Sequence, residues 1–531
     1  MGAWFRNRLI IRLLVITAFA ILIPTVRPAL AHHPRAAGGP TPGGSITIRQ
    51  TSQPDCLDDY KSALLQVEQI DSNVHIGLTS PSRKQTPTPG VAQKWKISNG
   101  GKKITFFLRK DVRFSDGKLL TSADVKASFA HAMDPATKSP VSKAFLAQVT
   151  NVTTPDKYTV VLTLSSPSRV LLTELGSPYL GILEKSQLDK VGQDTCGGNM
   201  LGTGPFKYGT VAAGFSSVTL TQNKDYHNYN WNWANNKGKP YLTSIHYVPV
   251  PNDATAISEL LTGSVDISGV PGPELNRVQG NKNIVLHKSL AQSEFLIIFN
   301  TAHPPFNNPS VRKAVAEVID KNAIIKASFN GLAKPATSIL PSSIPFYDPA
   351  SKSYDPKLNP SAATAAISAA NAKGPYTLLT FNVPTTATMA EIVQSELGTA
   401  GMNVNIQEKS VGDWVQQMSH GDWDISMFDY VNNDADILYF LFNSSQCCGK
   451  GLAFTNYTNS KLDQLTARGR ADLTTKKARA DYYAAQKIIG QNVIAAPIAI
   501  PINVVGVRSR VKGWHTDIGG TALINDLYIG K

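Results

Sequence analysis

The side chains able to do chemistry are few and gathered in a handful of places. Asp434 and Asp436 stand two residues apart. Paired carboxylates do the work of glycoside hydrolysis, but this spacing in a turn more naturally caps a following helix. Trp414, Trp423 and Tyr430 flank that turn, and Trp231 and Trp233 lie in a polar stretch over residues 226–236. Each set is a candidate aromatic wall for a peptide or sugar-like ligand, with core or lid packing as the alternative. Trp95, alone before a turn, is assigned to packing. Of the ten histidines only His32 and His33 adjoin, a weak metal-binding pair at most. Four cysteines, Cys56, Cys196, Cys447 and Cys448, allow three pairings in an oxidising compartment. The adjacent Cys447 and Cys448 are open either to a strained mutual bridge or to separate partners, and neither spacing nor neighbouring histidines fit a zinc cluster. No metal or other cofactor is expected. The chain has no Gly-x-Ser-x-Gly elbow, no His-Glu-x-x-His helix, no Ser-x-x-Lys set and no P-loop. Catalysis by a familiar hydrolytic constellation is therefore unsupported, a secreted hydrolase stays the rival reading, and any energised transport would need a separate ATPase.

The elements that must position these residues alternate between strand and helix, which predicts an α/β protein. Ile104, Phe106 and Leu108 alternate with Thr105, Phe107 and Arg109 as a strand with one buried face. Asp116-Gly117 makes a turn, and Thr121 to Asp124 is a capping box opening a helix with Val125, Phe129 and Met133 on one side. Further strands are expected at Val160, Leu162 and Leu164, at Val218 and Leu220, at Ile245 and Tyr247, at residues 265–267 and at residues 295–299. A helix over residues 254–261 should stop at Gly263, and Asn308-Pro309 should start another that places Val311, Val315, Val318 and Ile319 on one face.

Length and charge bound the rest. At 531 residues the chain is too long for one core and implies two or three domains. Arg6, Arg8 and Arg12 precede a short apolar run, and Ala29-Leu30-Ala31 is a small-x-small site, so residues 1–31 are a secretory leader cleaved after Ala31, with an uncleaved anchor as the alternative. No cysteine follows that site to carry a lipid. Residues 32–44, rich in Pro and Gly, are expected to be a disordered lead-in. The formal net charge is +14, and the four leader arginines account for part of it, leaving +10 on the mature chain. With no basic run and no aromatic-basic interleaving, a nucleic-acid partner is not expected.

The segment over residues 89–135, PGVAQKWKISNGGKKITFFLRKDVRFSDGKLLTSADVKASFAHAMDP, resembles the marker segment of the peptide/nickel-type solute-binding proteins of ABC importers, solute-binding protein family 5. LGTGPFKY from Leu201, ELLTGSVDI from Glu259, FNTAHPPFNNPSVRKAVAEVID from Phe299, NYTNSKLDQL from Asn456 and APIAIPI from Ala496 resemble later pieces of that family in the expected order. The resemblance implies a bilobed periplasmic-binding-protein-like α/β fold, type II, cluster C. The first lobe would comprise residues 45–75, 201–291 and 502–531, with an added subdomain over residues 76–200. Residues 292–501 would form the second lobe, and hinges near Ala291 and Ile500 would let the lobes close on a solute. It also implies an extracytoplasmic, monomeric protein delivering an oligopeptide to a permease and ATPase. A nickel chelate, an oligosaccharide or an opine-like compound is the alternative solute.

In that family a turn in the second lobe recognises the ligand, and residues 424–442 are the matching segment. Peptide-binding members use an aspartate three residues before the turn's acidic residue to hold the ligand's α-amino group. Counting back from Asp434 gives Val431, a departure that favours ligands without a free N-terminus. Asp429 or Asn433 takes the role if the turn is shorter. The ligand-binding candidates are thus Trp414, Trp423, Asp429, Tyr430, Asn432, Asn433 and Asp434.

Overall fold

The computed structural model describes residues 39–447 and 451–530. The expected leader, its cleavage site, His32-His33 and Cys448 lie outside the described residues. Of the expected lead-in, Gly43 and Gly44 are already tied down: Gly43 N–H donates to the Tyr241 carbonyl (2.7 Å), and the Gly44 carbonyl accepts from Thr243 N–H (2.9 Å).

From there the chain enters β1 (Ser45–Gln50). A separate antiparallel sheet follows, built from β2 (Ala92–Ser98), β3 (Lys103–Leu108), β4 (Val149–Asp156) and β5 (Thr159–Leu164) in the order β2-β3-β5-β4. In β3, Ile104, Phe106 and Leu108 are buried against Val125, Phe129 and Ala132 of the helix Ser122–Met133, as the alternation requires. That helix opens on the expected box, with the Asp124 carboxylate accepting from Thr121 N–H at 2.8 Å.

The chain then returns beside β1 through β6 (Phe206–Val211), β7 (Val218–Gln222), β8 (Ser244–Pro249), β9 (Ile267–Gly269) and β10 (Ile284–Leu290). The expected strand over residues 265–267 starts later, because Val265 N–H is still bonded to the carbonyl of Glu259 at the preceding helix end. After β10 come β11 (Ser293–Phe299), β12 (Tyr376–Phe381), β13 (Val404–Lys409), β14 (Ile425–Val431) and the 14-residue β15 (Ala495–Arg508). The resulting large sheet runs β13-β12-β14-β11-β15-β9-β1-β8-β7-β6, with β10 also on β15.

β11 explains its own composition. Ile297 and Phe299 enter one core, with Val311 and Val315 of the helix Pro309–Val318, while Leu296 and Ile298 enter another on the opposite face. A strand covered on both faces must be a continuous apolar run. β15 joins the two halves of the sheet: its residues 495–499 pair with β11, and its residues 502–508 pair with β10. Among the described residues no helix is long and apolar enough to cross a membrane.

Candidate functional site

Strand directions fix where a ligand can sit. β15 runs from the second half of the sheet into the first. β14 is antiparallel to β11, which is antiparallel to β15, so β14 points toward the first half; β12 and β13 run parallel with it. β9 opposes β15, and β1 and β8 run parallel with β9, so these point toward the second half. The carboxyl ends of both sets therefore face each other across the crossover segments. In α/β sheets that is where ligands bind, because loops rather than packed strands occupy those ends.

At the crossover itself Gln85 joins the halves. Its Nε2 donates to Asp517 Oδ2 (3.0 Å) and to Gln292 Oε1 (3.2 Å). The Gln292 carbonyl accepts from Asn432 N–H at 3.0 Å, which anchors the turn after β14 to this knot. Asn432 Oδ1 accepts from Asp434 N–H at 2.8 Å and holds the turn's shape, whereas Asn433 is exposed. Asp434 Oδ1 in turn accepts from Asp436 N–H at 2.9 Å, just before the helix Ile437–Phe442. Asp436 is at that helix's N-cap position but makes no side-chain cap, so the capping expectation holds only in part. Counted from Asp436, the third residue back is Asn433.

Asp434 is engaged within the fold. Arg169, from the loop after β5, grips it with both terminal guanidinium nitrogens, one at 3.0 Å. Arg169 also donates to Tyr482 Oη (3.3 Å) and the Gly469 carbonyl (3.3 Å), and lies 4.7 Å above the Phe346 ring. Beside this pair, burial pushes Glu174 up to about 8, with Asp436 adding to the effect and Arg470 opposing it. Asp436 is likewise raised to about 6, chiefly by burial. Nothing in the sequence announces Arg169 as a partner, since 265 residues separate it from Asp434.

The aromatic candidates are engaged within the fold too. Trp414 is buried among Phe381, Phe428 and Phe454, and its Nε1 donates to Ser426 Oγ at 3.0 Å. Trp423 is buried with Nε1 bonded to the Met418 carbonyl, and Tyr430 Oη donates to the Ile339 carbonyl at 2.7 Å. All three fill the core behind β14. Trp233 is half-buried against His515 (5.3 Å) and Trp231 (6.4 Å), with Nε1 on the Pro81 carbonyl. Asp429 differs from these. It lies near the end of β14, opposite Phe295, half-buried, with its carboxyl raised by burial against the opposing effect of a hydrogen bond from its own N–H, and with no side-chain ion pair among the described residues.

Cys56 and Cys196 form a disulfide with Cα atoms 4.5 Å apart, choosing one of the pairings left open by the sequence. Cys447 is disulfide-bonded as well. Among the described residues no group of His, Cys, Asp and Glu is placed to hold a metal.

Comparisons with known proteins agree with this architecture. The family model for bacterial extracellular solute-binding proteins, family 5 (middle), matches residues 86–451. The probable di/tripeptide-binding protein 5 of Pseudomonas aeruginosa (strain UCBPP-PA14) is 23% identical over 539 residues, covering 94% of this chain and 97% of that protein. The glutathione-binding protein GsiB of Escherichia coli (strain K12) is 25% identical over 485 residues, covering 86% and 89%. Among solved structures, HbpA2 from Haemophilus parasuis superposes with a TM-score of 0.81 at 23% identity, over 92% of this chain and 100% of that one. The unliganded open form of the periplasmic murein tripeptide binding protein MppA gives 0.79 at 22% identity, over 93% and 99%. The fold is the bilobed type II periplasmic-binding-protein fold.

Proposed function

Because the chain belongs to the bacterial extracellular solute-binding proteins of family 5, we propose that it captures a short peptide between its lobes and delivers it to an ABC permease with its ATPase. In this reading it is made with a leader cleaved after Ala31, works outside the cytoplasm as a monomer and performs no catalysis. Its lobes are residues 45–75, 201–291 and 502–531 on one side, carrying the subdomain of residues 76–200, and residues 292–501 on the other. The two crossover segments serve as hinges. A ligand touching both sets of strand ends makes contacts that only the closed form offers, and so selects it.

The observation that carries the peptide reading is Asp429. A half-buried carboxylate with no ion-pair partner among the described residues, near the carboxyl end of β14, is suited to a ligand ammonium. Calorimetric titration with tripeptides, free or acetylated at the N-terminus, tests it. Free tripeptides should bind, and acetylation or Asp429→Asn should weaken binding by about 1.5–3 kcal/mol, the range of a hydrogen bond to a charged group. Equal affinity for free and acetylated peptides would remove Asp429 from this role.

Asp434, held by Arg169, and Val431, three residues before it, favour a second reading, a non-peptide solute such as a chelate or opine-like compound in the same cleft. Native mass spectrometry of gently purified protein separates the two. A ladder of masses fragmenting as peptides supports the first, and one defined small molecule supports the second. Turnover without saturable binding would instead favour the hydrolase.

A further inference from the structure

Apolar side chains of branched type are exposed where the strands end. β12 and β13 are parallel neighbours up to Phe381 and Lys409, and Asn382 N–H is bonded to the Lys409 carbonyl at 2.9 Å. β14 lies on the other side of β12, also parallel. Val431 ends β14, and Val383 and Val411 stand two residues past the ends of β12 and β13, at the starts of the helices Pro384–Thr399 and Val411–His420, so the three form a row across the carboxyl ends of three adjacent strands. Their exposures are 41%, 59% and 76%, and Val415, one helical turn beyond Val411, is at 39%.

The opposite edge repeats the pattern. Gln50 at the end of β1 donates to the Gln66 carbonyl (2.8 Å), and Gln66 Nε2 donates to Thr51 Oγ1 (2.6 Å). That ties the start of the helix Leu65–Asp71 to the β1 end, where Leu64 and Leu65 are 36% and 58% exposed. Of the ten large apolar residues that are exposed among the described ones, six are on these two facing edges. Single exposed apolar residues need no explanation, but a row of them matched across a cleft marks a binding surface.

The polar composition of the edge narrows the occupant. Residues 382–385, 410–412 and 431–433 contain no charged side chain. The acids that directly follow them, Asp413 and Asp434, are engaged by Ser410 Oγ at 2.7 Å and by Arg169 at 3.0 Å. Asp429 and Lys409 are the charged groups at the ends of β14 and β13. Away from those two groups, an occupant bearing acidic or basic side chains along the row would lose water and gain no partner.

Resting on the peptide reading above, we propose that the cleft selects short peptides with branched or aromatic side chains, and that Val383, Val411 and Val431 set this preference. The test is calorimetry on the full mature protein with Leu-Leu-Leu and Ser-Ser-Ser, which share length and charge. Leu-Leu-Leu should bind at least about tenfold more tightly, from burial of a few methylene equivalents, and with the more negative heat-capacity change. Val431→Ser and Val411→Ser, both at exposed positions, should each cut that ratio severalfold through weaker Leu-Leu-Leu binding, with the melting temperature of the unliganded protein unchanged. Equal affinities for the two peptides, or a ratio that survives both substitutions, overturns the proposal. If neither peptide binds, the peptide reading fails on its own, and the apolar dye anilinonaphthalene sulfonate becomes the probe. Fluorescence that is enhanced by the parent and lost in Val431→Asp keeps the apolar edge as a ligand surface. Unchanged fluorescence in that variant discards it.

Discussion

Arg169→Ala should open the unliganded protein. The guanidinium comes from the loop after β5, and everything it touches belongs to residues 346–482: Asp434, Gly469, Tyr482 and the Phe346 ring. Its backbone N–H adds a bond to the Arg470 carbonyl at 2.9 Å. The two charged side chains are only 10% and 6% exposed, so this is a buried, two-pronged pair and not a screened surface contact. Removing one member of such a pair costs about 3–5 kcal/mol, since the other charge stays buried without its counterion. If the contact exists only while the lobes are together, that cost falls on the closed state and shifts the open-to-closed ratio by roughly 10²- to 10⁴-fold. Arg169→Lys should give an intermediate shift, because an ammonium cannot reproduce the bidentate grip. Spin labels on the two lobes, read by electron–electron double resonance without ligand, provide the assay: one short distance for the parent, and a long or broad distribution for the alanine variant. The reasoning is refuted if Arg169→Ala lowers the melting temperature and leaves the distance distribution unchanged. The pair would then fasten the subdomain to the second lobe in every state.

Three further expectations concern stability. Glu294 is fully buried with both oxygens unpartnered, and burial raises its carboxyl well above the ordinary value, with Lys321 only partly opposing this. The folded state therefore holds a proton that the unfolded state releases near 4.5, and stability is lost as pH rises above that value. Urea unfolding from pH 5 to 9 should show a shallower decline for Glu294→Gln, with the variant overtaking the parent at the alkaline end; parallel curves would contradict the assignment. Replacing both Cys56 and Cys196 by serine should cost about 2–5 kcal/mol in thermal or denaturant unfolding, since the bridge closes a loop spanning 140 residues. Trp414→Ala should destabilise by about 3–5 kcal/mol. Any ligand affinity measured on the surviving folded fraction should be nearly unaltered, which an aromatic ligand wall would not allow.

What the sequence made legible was local. The capping box at Thr121, the Asn308-Pro309 helix start and the alternation in β3 and β5 are each decided within a few residues, and each is present. The pairing of Cys56 with Cys196 and the grip of Arg169 on Asp434 depend on which distant segments the topology brings together. Neither member of these pairs carries a local sign of its partner. Trp414, Trp423 and Tyr430 are packed in a core for a related reason. Proximity in sequence to the recognition turn says nothing about which face of β14 a side chain leaves from, and Phe428 and Tyr430 leave toward the core shared with both tryptophans.

Val431 shows how far that limit reaches. Met427 and Asp429 leave β14 on one face, Phe428 and Tyr430 on the other, and a period-2 reading continues the pattern into Val431 as one more packed residue. In the fold, Val431 is the last residue of β14 and pairs with Ser293, the first residue of β11, at the very end of the strand. Its side chain is consequently more exposed than any other large apolar residue described. The sequence supplies the valine, but its availability to a ligand is decided by its place at the carboxyl end of the strand. Val383 and Val411 stand two residues past β12 and β13, where the helices Pro384–Thr399 and Val411–His420 begin. A site built at strand ends is thus composed of residues whose local pattern predicts burial, and it becomes recognisable only when the directions of the strands are known.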